Sequence, residues 1–340
     1  MTVQTKIRSD KVILPDAPDI SGMAFRNFRG EVDYPVMLAV IEGSKDVDGI
    51  ERTDSLDDFK RAYSYLHNCD PYQDILIAEV DGEVIGYNRV FWDKLDDGTR
   101  TYTLFGFMLP KWRRRGIGCA MFHYAERRLR EIAAAHHDDG PKYFQSWAAD
   151  TEIGTTKLLE SEDYSPVRYS FEMTRDLGEP IIEVPMPDGL EVRPVKKDHL
   201  WLIFEAMNEA FRDHWGHRDA TKEEFEQWMK YPQFKPEHWK VAWDGDQVAG
   251  TVQNIINEDE NEEYKRKRGY TENIFVRRPW RKRGLARSLL TQSLSYLKCL
   301  GMTEAALGVD AENLSGALRL YESVGFQVVK RFTEYRKRLE

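Results

Sequence analysis

Residues 276–286 read VRRPWRKRGLA, and residues 108–118 read MLPKWRRRGIG. Each is a basic, glycine-containing turn between a β-rich run and a stretch with apolar residues at helical spacing. Outward from the two turns, the same landmarks recur in the same order. Gly22-Met-Ala-Phe-Arg26 resembles Gly189-Leu-Glu-Val-Arg193. Ser55 and Thr221 each open an acidic helix start, SLDDF and TKEEF, as N-caps do. DILIAEVDGEVIGYNRVFW (74–92) matches WKVAWDGDQVAGTVQNII (239–256), two β-rich runs around an Asp-Gly turn in each case, which is a hairpin signal. The separations 22 to 189, 55 to 221, 86 to 250 and 113 to 281 all lie between 164 and 168 residues. The chain is therefore two copies of one module.

Within a module the order reads strand, helix, helix, hairpin, strand, helix, strand, helix, strand. That order predicts an α/β fold, a mixed central sheet with helices on its faces, built twice in tandem. Residues 1–21 read as a leading extension, 22–175 as the first domain, 176–188 (rich in Pro and acidic residues) as a linker, and 189–340 as the second domain. After the second turn, Leu285, Leu289, Leu290, Leu294, Leu297 and Leu300 predict a helix that stops at Gly301. A further helix is expected from about Asn313 to Val324, capped by Gly325, and NEDENEE (257–263) reads as a solvated connection between strands.

A length of 340 residues suits two domains. The net charge of -9 argues against a nucleic-acid partner, which needs clustered cations, and tolerates a cationic substrate. Cys69, Cys119 and Cys299 are scattered and lack metal-ligand spacing, so no metal is expected and the protein is read as reduced and cytoplasmic. The first residues lack the apolar core of a signal peptide, and no apolar run approaches the ~18 residues of a membrane span.

The basic turn is the candidate site. At a strand-to-helix junction, unpaired backbone N–H groups and the positive end of the helix dipole converge, which suits an anion such as a pyrophosphate. Gly284 and the small Ala286 allow close approach to the main chain, and Arg281, Lys282 and Arg283 add charge beside Leu285.

Here the sequence resembles the GNAT family of acetyltransferases, whose pyrophosphate loop reads Gln/Arg-x-x-Gly-x-Gly/Ala. Arg281, Gly284 and Ala286 carry that pattern in the second half, and Arg113, Gly116 and Gly118 carry it in the first. A second family segment, Asn-x-x-(small)-x-x-Leu-Tyr-x-x-x-Gly-Phe, is present only in the second half as Asn313, Gly316-Ala317, Leu320, Tyr321, Gly325 and Phe326. The resemblance implies two tandem GNAT-fold domains, acetyl-CoA or a related acyl-CoA as donor, and a small-molecule amine as acceptor. It also implies that the main chain of Ile274, Phe275 and Val276 holds the pantetheine arm, that Asn313 contacts the cofactor, and that Tyr321 protonates the departing thiolate. Glu272, ahead of the loop, is the candidate base.

The first half is expected to be degenerate. Leu104 stands at the place of Glu272, Leu159 at Tyr321 and Thr151 at Asn313, so no proton donor or acceptor remains there. Its loop leaves open a second acyl-CoA site. This layout, a degenerate first half and an active second half, is similar to that of mycothiol synthases within the family. A non-catalytic acyl-CoA sensor and a protein or peptide N-acetyltransferase are the alternatives.

Overall fold

The computed structural model describes residues 11–137, 140–312 and 316–340. They form two compact units, one of residues up to Val167 together with Glu334–Glu340, the other of Arg168–Thr333.

In chain order the first half gives β1 (Lys11–Val12), β2 (Met23–Asn27), α1 (Tyr34–Asp48), α2 (Leu56–Ser64), α3 (Pro71–Asp74), β3 (Ile75–Val80), β4 (Glu83–Lys94), β5 (Arg100–Met108), α4 (Ile117–Ala134), β6 (Lys142–Ala149), α5 (Ile153–Ser161) and β7 (Ser165–Asp176). The second half gives β8 (Glu191–Arg193), α6 (Leu200–Phe211), α7 (Lys222–Trp228), β9 (Lys240–Asp244), β10 (Gln247–Ile256), α8 (Glu258–Glu263), β11 (Arg268–Val276), α9 (Leu285–Cys299), β12 (Glu304–Asp310), α10 (Ala317–Ser323) and β13 (Gln327–Arg338). The two N-caps form full capping boxes, Ser55 with Asp58 and Thr221 with Glu224, each worth about 1 kcal/mol.

The first unit orders its strands β1-β2-β3-β4-β5-β6, antiparallel except for the parallel pair β5 and β6. Its core takes Leu129 of α4, Phe144 of β6 and Tyr335 from the end of the chain, where Leu339 N–H bonds the Lys142 carbonyl at 3.0 Å. In the second unit the order is β8-β9-β10-β11-β12-β7, with β11 and β12 parallel. Leu285, Leu289, Leu290, Leu294 and Leu297 of α9 fill that sheet's core with Ala305, Leu307 and Tyr321.

The units divide after Val167, whereas the sequence places the end of the first domain at residue 175. The reason is hydrogen bonding: Ser170 to Asp176 of β7 pair with Asp310 to Glu304 of β12, so this strand completes the second sheet. The segment 257–263 is a short helix, α8, capped by Asn257, and not an open connection. The described part of the extension, from Lys11 on, and the linker also pack down. Leu14 joins Ile117 and Met121 in the core beside α4, and Ser288 Oγ of α9 donates to the Val184 carbonyl at 2.9 Å.

Candidate active site

The two basic turns are built alike. Lys282 and Arg114 take positive φ (60° and 62°), as do Gly284 and Gly116 (86° and 84°), and each glycine is the N-cap of its helix. The first helical bond of α9 runs from Ser288 N–H to the Gly284 carbonyl at 3.1 Å, which leaves the N–H groups of Leu285, Ala286 and Arg287 without helical partners. Lys282 and Arg283 are exposed, and the Arg283 guanidinium donates to the Asp188 carbonyl at 2.8 Å.

Arg281 does not face the front of this cradle. Its guanidinium is tied back to the Val276 carbonyl (2.8 Å), the Ala210 carbonyl (3.2 Å) and Asp213 (2.5 Å). Arg113 does the same, bonding the Met108 carbonyl at 2.8 Å and both oxygens of Asp48 at 2.5 and 2.8 Å. The first arginine of each loop therefore braces the turn against the C-terminal end of α1 or α6. Arg278 and Arg281 together hold the Asp213 carboxyl well below the usual carboxylate range.

The mouths of the two loops differ. At Gly284 a Cβ would meet nothing within 4 Å, while at Gly116 it would meet Cβ and Cγ of Pro18 at 3.7 and 3.9 Å. Gly118 has Leu158 Cδ2 at 3.8 Å from the same probe position.

The strands leading to the loops differ more. In the first unit β4 and β5 pair without interruption from Lys94↔Arg100 to Gly86↔Met108. In the second, β10 and β11 slip by one residue between Gln253↔Glu272 and Thr251↔Phe275. The extra residue is accommodated at Asn273, which has φ 45° and donates through Nδ2 to Gln253 Oε1 at 2.7 Å. Asn tolerates that left-handed conformation better than other non-glycine residues. Beyond Tyr270↔Ala306 the parallel strands β11 and β12 no longer pair, so the main chain of Ile274, Phe275 and Val276 faces an opening on its β12 side. Phe275 is buried in the core beside α6, and Ile274 and Val276 pack toward α9.

Glu272 lies at the bulge. It makes no hydrogen bond or ion pair among the described residues, and burial, then the charge of Glu172, push its carboxyl up to about 7. Its cross-strand partner Gln253 is fully buried with Nε2 unsatisfied. Tyr321 of α10 is buried, and burial followed by the Glu272 charge raises its hydroxyl above the ordinary value, so it stays protonated. The structure thus brings Glu272 and Tyr321 within electrostatic reach of each other. Asn313 lies outside the described residues.

Counted back from the loop, Leu104 stands at the place of Glu272, but Leu104 and its partner Val90 are buried against α4, whereas Glu272 faces away from α9. On the matching face the first unit has the pair Arg89↔Phe105, with no carboxylate. Tyr164 N–H bonds the Leu159 carbonyl at 3.0 Å as Phe326 N–H bonds that of Tyr321 at 3.1 Å, which identifies Leu159 as the counterpart of Tyr321.

Sequence reasoning missed one large feature, a cleft of about 550 Å³ in the second unit. Phe211, His214, Trp215, Phe225 and Trp228 line it, and Asn273 brings it to the bulge. Its polar pair is internally matched, since Arg218 grips both oxygens of Glu224 at 2.6 and 2.9 Å. The aromatic residues of 201–228 were a signal, but such a run is more often plain core, as the stacked pair Phe204–Phe225 illustrates.

The family described as Acetyltransferase (GNAT) family matches residues 45–138 and 200–326, more than half of the chain. The mycothiol acetyltransferase of Geodermatophilus obscurus is 28% identical over 266 residues, 75% of this chain and 79% of that protein. That of Salinispora arenicola is 26% identical over 85% of this chain and 88% of its own. Among solved structures, a GCN5-related N-acetyltransferase from Sphaerobacter thermophilus superposes with a TM-score of 0.71 at 25% identity, covering 94% of this chain and 96% of that one. A tandem GNAT protein from the clavulanic acid biosynthesis pathway shares the fold at a TM-score of 0.66 and 14% identity, over 93% and 98% of the two chains. With the motif in both halves and relatives that span both, the chain belongs to the GNAT family of N-acetyltransferases, as a tandem member carrying two copies of the fold.

Proposed function

We propose that the chain transfers the acetyl group of acetyl-CoA to the amine of a small molecule, and that the second half alone does this chemistry. The observation that carries the reading is the bulge at Asn273 beside Glu272, which has no counterpart in the first half, although β5 and β6 part after Thr103↔Gln145 as β11 and β12 do after Tyr270↔Ala306. The opening would take the pantetheine arm as an extra strand partner, with the pyrophosphate on the N–H groups of the loop at 282–287. Main-chain N–H groups of 274–276 would polarise the thioester carbonyl. Glu272 takes a proton from the acceptor ammonium, and the freed nitrogen pair attacks the carbonyl carbon. The C–S bond then breaks, and its electron pair leaves on sulfur, which takes the Tyr321 proton. The nitrogen then gives up its second proton, which restores Tyr321, Glu272 releases its own proton to solvent, and amide and thiol are the products.

A carboxyl that titrates near 7 suits this work, because about half of it is ionised at neutral pH and it is basic enough to accept the proton. The aromatic cleft that reaches Asn273 supports a compact acceptor with an apolar or ring body, in keeping with relatives named for mycothiol. Pro18 over Gly116 and the lack of a bulge between β4 and β5 support one acyl-CoA site per chain. The test is a screen of primary amines with acetyl-CoA, following release of free thiol. No turnover with any amine class, or turnover retained in Glu272→Gln, would sink the reading.

A further inference from the structure

Glu172 belongs by sequence to the first module, yet β7 carries it into the second sheet. Its cross-strand partner on β12 is Gly308. The parallel register Arg268↔Glu304, Gly269↔Ala305, Tyr270↔Ala306 brings Glu272 level with the same glycine where the strands part. Side chains alternate along a strand, so Glu304, Ala306 and Gly308 share a face with Tyr270, Glu272 and Glu172. The intervening Ala305, Leu307 and Val309 point the other way, into the core beside α9. One row across the sheet therefore reads Glu172, Gly308, Glu272, two carboxylates on either side of a residue without a side chain. Gly308 is exposed, and a Cβ built on it would meet nothing within 4 Å.

Charge in this notch is not balanced from within. Glu172 Oε1 accepts from Arg268 at 3.2 Å, but Arg268 is shared with Glu304 at 2.5 Å. Glu272, half-buried, has no cation among the described residues. Its neighbour Gln253 holds an unsatisfied Nε2 in the same buried place, an independent sign that a ligand or water completes the site. An uncompensated carboxylate next to another is costly unless a cation joins them.

We propose that Glu172 is an acceptor-binding residue, pairing with Glu272 across Gly308 to receive the acceptor as a primary ammonium. An ammonium has one positive charge and three N–H donors, so it can bond both carboxylates at once. Glu272 then takes the proton, and Glu172 keeps the nitrogen in place as it turns toward the thioester. The inference rests on Glu272 being the base, and it names the substrate class more narrowly than that reading does. It also gives the first half of the chain a part in the reaction, through a strand it lends.

The test uses the full chain saturated with CoA at pH 8, with n-butylammonium chloride and its uncharged analogue 1-pentanol as probes, and dissociation constants read by ligand-observed NMR. The wild type should favour the ammonium at least tenfold, on the order expected for a hydrogen bond to a charged group. Glu172→Gln should reduce that preference about tenfold, with the melting temperature as a check on folding. Gly308→Leu, at an exposed position, should expel both probes. No preference in the wild type, or an unchanged one in Glu172→Gln, overturns the proposal. The readout needs no turnover, so failure of the amine screen would sink the functional reading without touching this result. Glu272-dependent turnover with normal ammonium binding in Glu172→Gln would sink this inference alone.

Discussion

Arg113 and Arg281 perform one task in the two halves, while Leu104 and Glu272 do not. Each arginine ties its loop to the carbonyl that ends the strand before it and to an aspartate, Asp48 at the end of α1 or Asp213 just past α6. Such shared features are scaffold, needed wherever this fold is built. What the second half has alone is an extra residue at Asn273, a half-buried acid at 272 with a glutamine opposite, and a hydroxyl at 321. A glycine-rich turn at a helix N-terminus is thus a poor indicator of catalysis on its own. The candidate reacting groups cluster at the bulge; the parting of the parallel pair is common to both halves, since β5 and β6 also separate after Thr103↔Gln145.

The largest effect expected from breaking this asymmetry is at Gly284. A glutamate there, at positive φ where the proposed pyrophosphate would lie, should bring the expected stoichiometry of one acyl-CoA per chain to zero by titration calorimetry. A full equivalent remaining in Gly284→Glu would mean that the first loop binds too. Glu272→Gln should lower kcat/KM about 10²- to 10⁴-fold, the range for losing a general base. Tyr321→Phe should lower kcat about 10- to 10³-fold and leave KM for acetyl-CoA unchanged; an unaltered kcat would remove the hydroxyl from the mechanism.

The pH dependence follows from one group. Glu272 titrates near 7, so kcat/KM should rise with pH through an acid limb near that value and level off above it. The sign for stability is the reverse. Its folded value lies above the ordinary carboxyl value of 4.5, so the protonated form favours the fold. That stability is fully present below about pH 4.5 and is lost as pH rises through 7. At pH 8 the ionised acid costs on the order of 3 kcal/mol, and Glu272→Gln should be more stable than wild type there by denaturant unfolding. An equal gain at pH 5 would show that charge is not the cause. The smallest effects belong to the scaffold: Arg113→Gln and Arg281→Gln should each cost about 1–3 kcal/mol in the same assay. A much larger cost at only one of them would break the equivalence of the two loops.

The repeat, both hairpins, both capping boxes and the turn were legible in the sequence because each depends on near neighbours. The same holds for Tyr321, whose position relative to Gly325 and Phe326 is local. The bulge was not legible, since a slip between Gln253 and Thr251 exists only in the pairing of two strands and Asn273 alone is a weak mark of it. Arg281 has the composition of an anion ligand, and only the position of Asp213, far away in sequence, turns it into a brace. The row Glu172–Gly308–Glu272 joins three strands and leaves no periodic trace. Reading β7 as the close of the first domain was the natural error, because nothing in Ser165–Asp176 says which sheet will receive it.

That strand has a consequence for how the protein is made. Asp176 leaves the ribosome roughly 130 residues before its partner Glu304, about ten seconds at common rates of synthesis. Throughout that interval β7 lacks its β12 partner, and the second unit lacks one flank of its sheet. A nascent chain stalled within the linker would carry an unpaired strand rather than a finished domain, open to pairing with the wrong edge. Severing the gene at the linker would therefore not yield two working proteins.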